Sequence, residues 1–174
     1  TTVCYEIENG TEDLTFKMIP LFNYRLSGDS IEKSNLKFIK EVEGNKLILT
    51  PEENKDVKIT FYASEGEYYD RSLIPTTMAT PNYLFEENQY YMIDNRTGFL
   101  GIDNHYTPYE INIKIKAKET KRFYVICTLE EEINKTGFEI EEEYKKRAED
   151  LVKKAGYKDN FASNLVKASD HFIV

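Results

Sequence analysis

The sequence contains no Trp and only two Cys and two His among its 174 residues. Aromatic packing therefore falls to 13 Tyr and 10 Phe. Cys4, in "TVCYEIE", and Cys127, in "FYVICTL", are too few and too far apart for a disulfide scaffold. Both read as reduced thiols in or near a core. His105 and His171 have no partner at metal-ligand spacing. His105, beside Asp103 and Asn104, reads as a solvated loop residue, and His171 as a packing or capping residue of a terminal helix. Apolar runs are short, none long enough to cross a bilayer, and no secretory signal is read at the start. The expected compartment is the cytoplasm, where the Asn-x-Thr sequons at Asn9, Asn95 and Asn134 are accidents of composition. Basic charge is scarce: 23 Lys and Arg stand against 31 Asp and Glu, a net charge of -8. That sign excludes a phosphate backbone or an anionic membrane surface as the expected partner.

The usual signatures of catalysis are missing as well. No dinucleotide or Walker glycine loop, zinc-helix motif or nucleophile elbow occurs. No catalytic residue, metal ligand or cofactor is assigned from the residues. "DNRTGFLGIDN", 94–104, offers Asp94, Asn95, Asp103 and Asn104 as oxygens, but the spacing is not that of a calcium loop and reads as turn chemistry.

What is present is alternation. Val3, Tyr5 and Ile7 alternate with polar residues as a half-buried strand does. "ENGTED" follows as a turn in which Asn9-Gly10 favours positive φ. Leu14, Phe16 and Met18 mark a second strand, and Pro20, lacking an N–H, marks an edge or bulge. Residues 36–50 read as a hairpin, and Val57, Ile59, Phe61 and Ala63 line one face of the next strand. From Glu65 to Pro108 the pattern weakens, with a short strand expected near Tyr90–Ile93; so long an irregular stretch is usually functional. "EINIKIKAKE" and "RFYVICTLE" read as an antiparallel pair joined by a charged turn.

After Glu132 the period becomes helical. Thr136 and Glu139 have capping-box spacing. Tyr144, Ala148, Leu151, Val152 and Ala155 mark one helix face, and three Glu residues, 141 to 143, stand four before Lys145, Lys146 and Arg147. Gly156 suits the C′ position, and Asp159 or Asn160 can cap a second helix. That helix carries Leu165, Val166, Ala168, Phe172 and Ile173 as a buried stripe that stops while still growing, so truncation is expected there. The expected fold is mainly β: an antiparallel β-sandwich, supersandwich-like, followed by two C-terminal α-helices.

Tyr68-Tyr69 and Tyr90-Tyr91 are adjacent pairs. In a strand such neighbours point to opposite faces, so at least one of each pair is expected in the core. The other is free to stack on a sugar ring.

The ending "LVKASDHFIV" resembles the start of the catalytic region in glycogen debranching enzymes of the bacterial and archaeal amylo-α-1,6-glucosidase type, through Ala168, Asp170, Phe172, Ile173 and Val174. Pro20, Leu21, Tyr24 and Arg25 are similar to the family's Pro-Leu…Tyr-Arg element. Tyr91, Arg96 and Gly98 fit its Tyr…Glu…Arg-Gly loop loosely. The resemblance implies part of an N-terminal β-sandwich at 1–132, a linker helix at 133–158, and the start of a truncated α/α-toroid catalytic domain at 159–174. It implies a parent that removes α-1,6-linked glucose branches, with 4-α-glucanotransferase activity left open. The chain alone would be non-catalytic, with α-glucan (glycogen or maltooligosaccharide) and the toroid as partners. Tyr69, Tyr91 and Arg96 are the candidate substrate-binding residues. A free-standing carbohydrate-binding or interaction module is the alternative.

Overall fold

The computed structural model describes residues 1–26, 28–75, 83–130 and 132–170. Ten strands alternate with few helices: β1 (Thr2–Glu8), β2 (Leu14–Met18), β3 (Phe38–Glu43), β4 (Lys46–Pro51), β5 (Ile59–Ala63), β6 (Glu67–Asp70), β7 (Phe85–Tyr90), β8 (Ile102–Tyr106), β9 (Tyr109–Ile115) and β10 (Thr120–Thr128). A one-turn helix, α1 (Met92–Arg96), joins β7 to β8, and α2 (Gly137–Ala155) and α3 (Asn160–Asp170) follow the strands. The strands form a five-stranded sheet ordered β1-β10-β5-β4-β3, a three-stranded sheet ordered β2-β9-β6, and the hairpin β7-β8. Every pairing is antiparallel. The expected class, β-sandwich then two helices, is the one observed.

The two larger sheets pack face to face. Leu47, Leu49, Phe61, Ala63 and Phe123 of the first are buried with Ile111, Ile113 and Ile115 of the second. Tyr5 stacks on Phe123 at 4.9 Å between centroids, and Phe16 from the opposite sheet tilts into both rings at 5.8 and 5.5 Å. Such ring pairs add roughly 0.5–1.5 kcal/mol each beyond the area they bury. Tyr68 reaches between the layers: its hydroxyl donates to the Asn45 carbonyl at 2.8 Å and accepts the Ala63 N–H at 3.1 Å.

Several expectations are corrected. β9 and β10 do not pair with each other; they belong to different sheets. The apolar faces of both strands meet across the sandwich, a contact that lateral pairing would forfeit. The chain crosses layers at a corner where Lys118, not Asn9 or Gly10, takes positive φ at 62°. Asn9 serves that corner through its side chain, donating to the carbonyls of Glu12, Ile115 and Lys116 at 2.8, 3.1 and 2.7 Å. Residues beyond Tyr90 leave the strand, because Met92–Arg96 coil into α1. Pro20 does follow an edge strand, β2.

The helix ends are as the sequence predicts. Glu139 and Thr136 cap each other reciprocally, and Gly156 closes α2 at φ 72°. Asp159 is the residue that accepts the Ala162 N–H, at 2.8 Å. α2 lies on β10, with Phe138 edge-on to Tyr124 at 5.0 Å and Arg122 over the Phe138 ring at 4.7 Å. Of the three expected Glu–cation pairs along α2, Glu141–Lys145 forms at 2.8 Å. Glu143 turns instead to Lys135, and Arg147 to Asp170 of α3. On α3, Val166 is half-buried but Leu165 is 55% exposed, so the stripe read as buried is largely open. Its last members, Phe172 and Ile173, and also His171, lie outside the described residues.

Candidate functional site

The irregular stretch and the segment "PLFNYR" converge on one strand, β8. Past Pro20 the chain lies against it, with Phe22 and Tyr106 exchanging both backbone hydrogen bonds at 2.9 Å. That register brings Asn23 and Arg25 to Asp103. Oδ2 of Asp103 accepts from Arg25 Nε at 2.5 Å and Asn23 Nδ2 at 2.8 Å. Oδ1 accepts the N–H groups of Ile31 and Asn104, both at 3.0 Å. A carboxylate offers about four lone-pair sites, and all are occupied here. The side chain is 2% exposed. Burial pushes the carboxyl up, but the two backbone N–H groups and the guanidinium outweigh it and hold the group below its ordinary value. Asn104 continues the clamp, donating to the Ile31 carbonyl at 2.7 Å and accepting the Asn88 N–H at 3.1 Å. A saturated, buried carboxylate has no site left for a substrate proton; it fixes Asn23, Arg25 and Ile31 to β8.

Beside the clamp, the segment that carries α1 is closed where the carbonyl of Gly101, at φ 68°, accepts the Tyr91 N–H at 2.7 Å. Tyr91 precedes α1 and its hydroxyl meets His105 Nε2 at 2.7 Å, with the rings edge-on at 6.0 Å. His105 is thus a half-buried strand residue, not a solvated loop residue. Burial lowers its pKa, partly opposed by the charge on Asp103. Around the hairpin tip Tyr90, Ile93, Phe99 and Leu100 are exposed.

The three candidate sugar-binding residues do not converge. Tyr91 and Arg96 stand at opposite ends of α1, whereas Tyr69 lies on β6 in another sheet. Arg96 is exposed and has no ion pair among the described residues. Tyr69 is 47% exposed and points opposite to Tyr68, as strand alternation requires. Its hydroxyl donates to Glu67 at 2.6 Å, and Glu110 is its cross-strand neighbour. Tyr90 and Tyr91 break the expected rule, since both are exposed; the strand ends between them.

Sequence reasoning missed Arg71 altogether. It is 5% exposed, its Nε has no hydrogen-bond partner, and its guanidinium lies 5.9 Å from the Tyr83 ring centroid. With Tyr69, Leu73, Ile74 and Glu110 it lines a cleft of about 410 Å³. Nothing in its neighbours' spacing announces a buried cation. The Arg25–Asp103 pair was equally hidden, because its members stand 78 positions apart.

Residues 1–122 match the family model described as glycogen debranching enzyme N terminal. The chain belongs to that family. No curated protein and no solved structure matches it. In this N-terminal family sandwich, the Pro-Leu…Tyr-Arg element is the segment that Asp103 holds in place.

Proposed function

We propose that this chain is the non-catalytic N-terminal β-sandwich region of a glycogen debranching enzyme of the amylo-α-1,6-glucosidase type. It supports a separate α/α-toroid catalytic domain and helps to hold α-glucan in the cytoplasm. The family match over residues 1–122 carries the reading. The saturated Asp103 and the exposed rings of the hairpin tip fit a scaffold that presents a docking surface. In this reading residues 1–132 are the sandwich, 133–158 the linker helix, and 159–174 the first part of the toroid. The parent releases α-1,6-linked glucose, and transfer of short α-1,4 chains is a second activity open to it.

The cleft beside Tyr69 favours a second reading, a sandwich that binds glucan by itself. An exposed ring, a carboxylate and a guanidinium side by side suit a neutral polyol. Titration with maltoheptaose tests both readings through tyrosine fluorescence, which no Trp obscures. Saturable quenching that Tyr69→Ala abolishes supports independent glucan binding. No quenching until the toroid region is supplied supports the scaffold reading. No effect on either preparation from Tyr69→Ala, Tyr91→Ala or Arg96→Ala removes these residues from the glucan contact.

A further inference from the structure

β6 ends at Asp70, whose carboxylate accepts the Ser72 N–H at 2.8 Å and turns the chain into a single tight turn, Arg71–Leu73. The Arg71 N–H then donates to the Pro108 carbonyl at 2.9 Å, which holds Arg71 against the connection between β8 and β9. The residue is only 5% exposed. Nη1 reaches the Thr107 carbonyl at 3.4 Å, a long bond, and Nε is buried with no hydrogen-bond partner. Arg71 forms no ion pair among the described residues. A guanidinium keeps its proton at any ordinary pH, so it cannot escape the cost of burial by becoming neutral.

The acids around it are already matched. Asp70 holds Lys40 with both oxygens at 2.7 Å, Glu110 holds Lys17 at 2.9 Å, and Glu67 holds Lys114 at 3.4 Å. Arg71 is the cation left over. It lines the cleft of about 410 Å³ together with Tyr69, Leu73 and Ile74, all three exposed. A buried charge without a counter-ion at one end of an apolar-walled cleft is an arrangement that a ligand can complete.

We propose that this cleft binds a small organic monocarboxylate with an apolar body. The carboxylate pairs with the Arg71 guanidinium, and the body lies against Tyr69, Leu73 and Ile74. One unmatched positive charge selects a monoanion. A neutral polyol could bond the cation but not neutralise it, and a phosphate dianion would set a second negative charge beside Asp70 and Glu110. A planar carboxylate also matches the guanidinium fork. The apolar walls then favour a hydrocarbon body over a hydroxylated one. The site does not depend on the debranching reading, and a glucan held on Tyr69 would compete for it.

Titration of the full chain with isovalerate at neutral pH, followed at the Arg71 Nε–H resonance by heteronuclear NMR, tests the assignment. A saturable shift of that resonance is expected. Isovaleramide has the same shape without the charge and is expected to bind about tenfold more weakly, or worse. Glu110→Gln removes a carboxylate from the cleft wall and is expected to tighten isovalerate binding several-fold. Arg71→Met is expected to abolish binding with the circular dichroism spectrum unchanged; if that variant does not fold, the amide and Glu110→Gln comparisons decide. No saturable shift with isovalerate overturns the proposal, as does equal binding of the amide. So does a shift that inorganic phosphate or maltoheptaose produces at lower concentration than isovalerate.

Discussion

Arg25 donates from Nε to Oδ2 of Asp103 at 2.5 Å, an ion pair in which the carboxylate is almost wholly buried. The pair joins the segment after β2 to the strand β8, and Arg25 and Ile31 depend on Asp103 for their positions. Asp103→Asn leaves the guanidinium opposite an amide that cannot neutralise it. Breaking a buried pair of this kind costs about 3 kcal/mol. The urea midpoint is expected to fall accordingly, with cleavage by a protease appearing first between residues 25 and 33.

The same clamp makes the fold sensitive to acid. Asp103 and Asp70 are both held below the ordinary carboxyl value; burial opposes this in each case, and hydrogen-bond donors outweigh it. A depressed folded-state pKa gives stability that is present above the unfolded value and lost as pH falls through the folded one. The melting temperature is expected to drop below about pH 4, and Asp103→Asn to flatten that acid limb. An equally steep limb in the variant places the acid sensitivity elsewhere.

Tyr68 ties the two sheets by a hydroxyl that both donates and accepts, and burial pushes its pKa up to about 12. Tyr68→Phe is expected to cost about 1 kcal/mol in denaturant unfolding. Because the raised pKa favours the neutral form in the folded state, native stability declines as pH rises past the unfolded value near 10. The variant loses only Tyr68's share of this decline, because Tyr106, Tyr109 and Tyr124 are also raised by burial.

Gly137 begins α2 directly on the Tyr124 ring, where an added Cβ would lie 2.4 Å from the nearest ring carbon. Gly137→Ala must push the helix off β10 or rotate the ring, an overpacking cost of about 1–3 kcal/mol. Thermal melts followed at the helical band are expected to show an earlier loss of helix than of sheet. A single unchanged transition shows that the ring yields freely.

The regularly alternating strands, the helix caps and the sandwich class are legible because each rests on a local pattern. Ile111, Ile113 and Ile115 announce their face by period two, and Thr136 with Glu139 announces a helix start by spacing three. The assignment of strands to sheets was not legible: β9 and β10 look like a hairpin, and only the burial of both apolar faces against each other separates them. The site was less legible still. Asp103 stood among turn residues with nothing to reveal that Arg25 and Asn23 would meet it. Tyr91 stands out in the sequence, but its partner His105 reads there as solvated, because a strand at Ile102–Tyr106 has too little alternation to be seen. Arg71 became visible only through its burial.

In the proposed reading, this member of the debranching N-terminal family contributes no catalytic group of its own. The most direct test of that reading is glucose release from a glycogen limit dextrin by the purified chain, alone and together with a separately produced toroid region. No release is expected from the chain alone, and release only when the toroid is present. Release by the chain alone, abolished by substituting one of its own carboxylates such as Glu110→Gln, would contradict that reading.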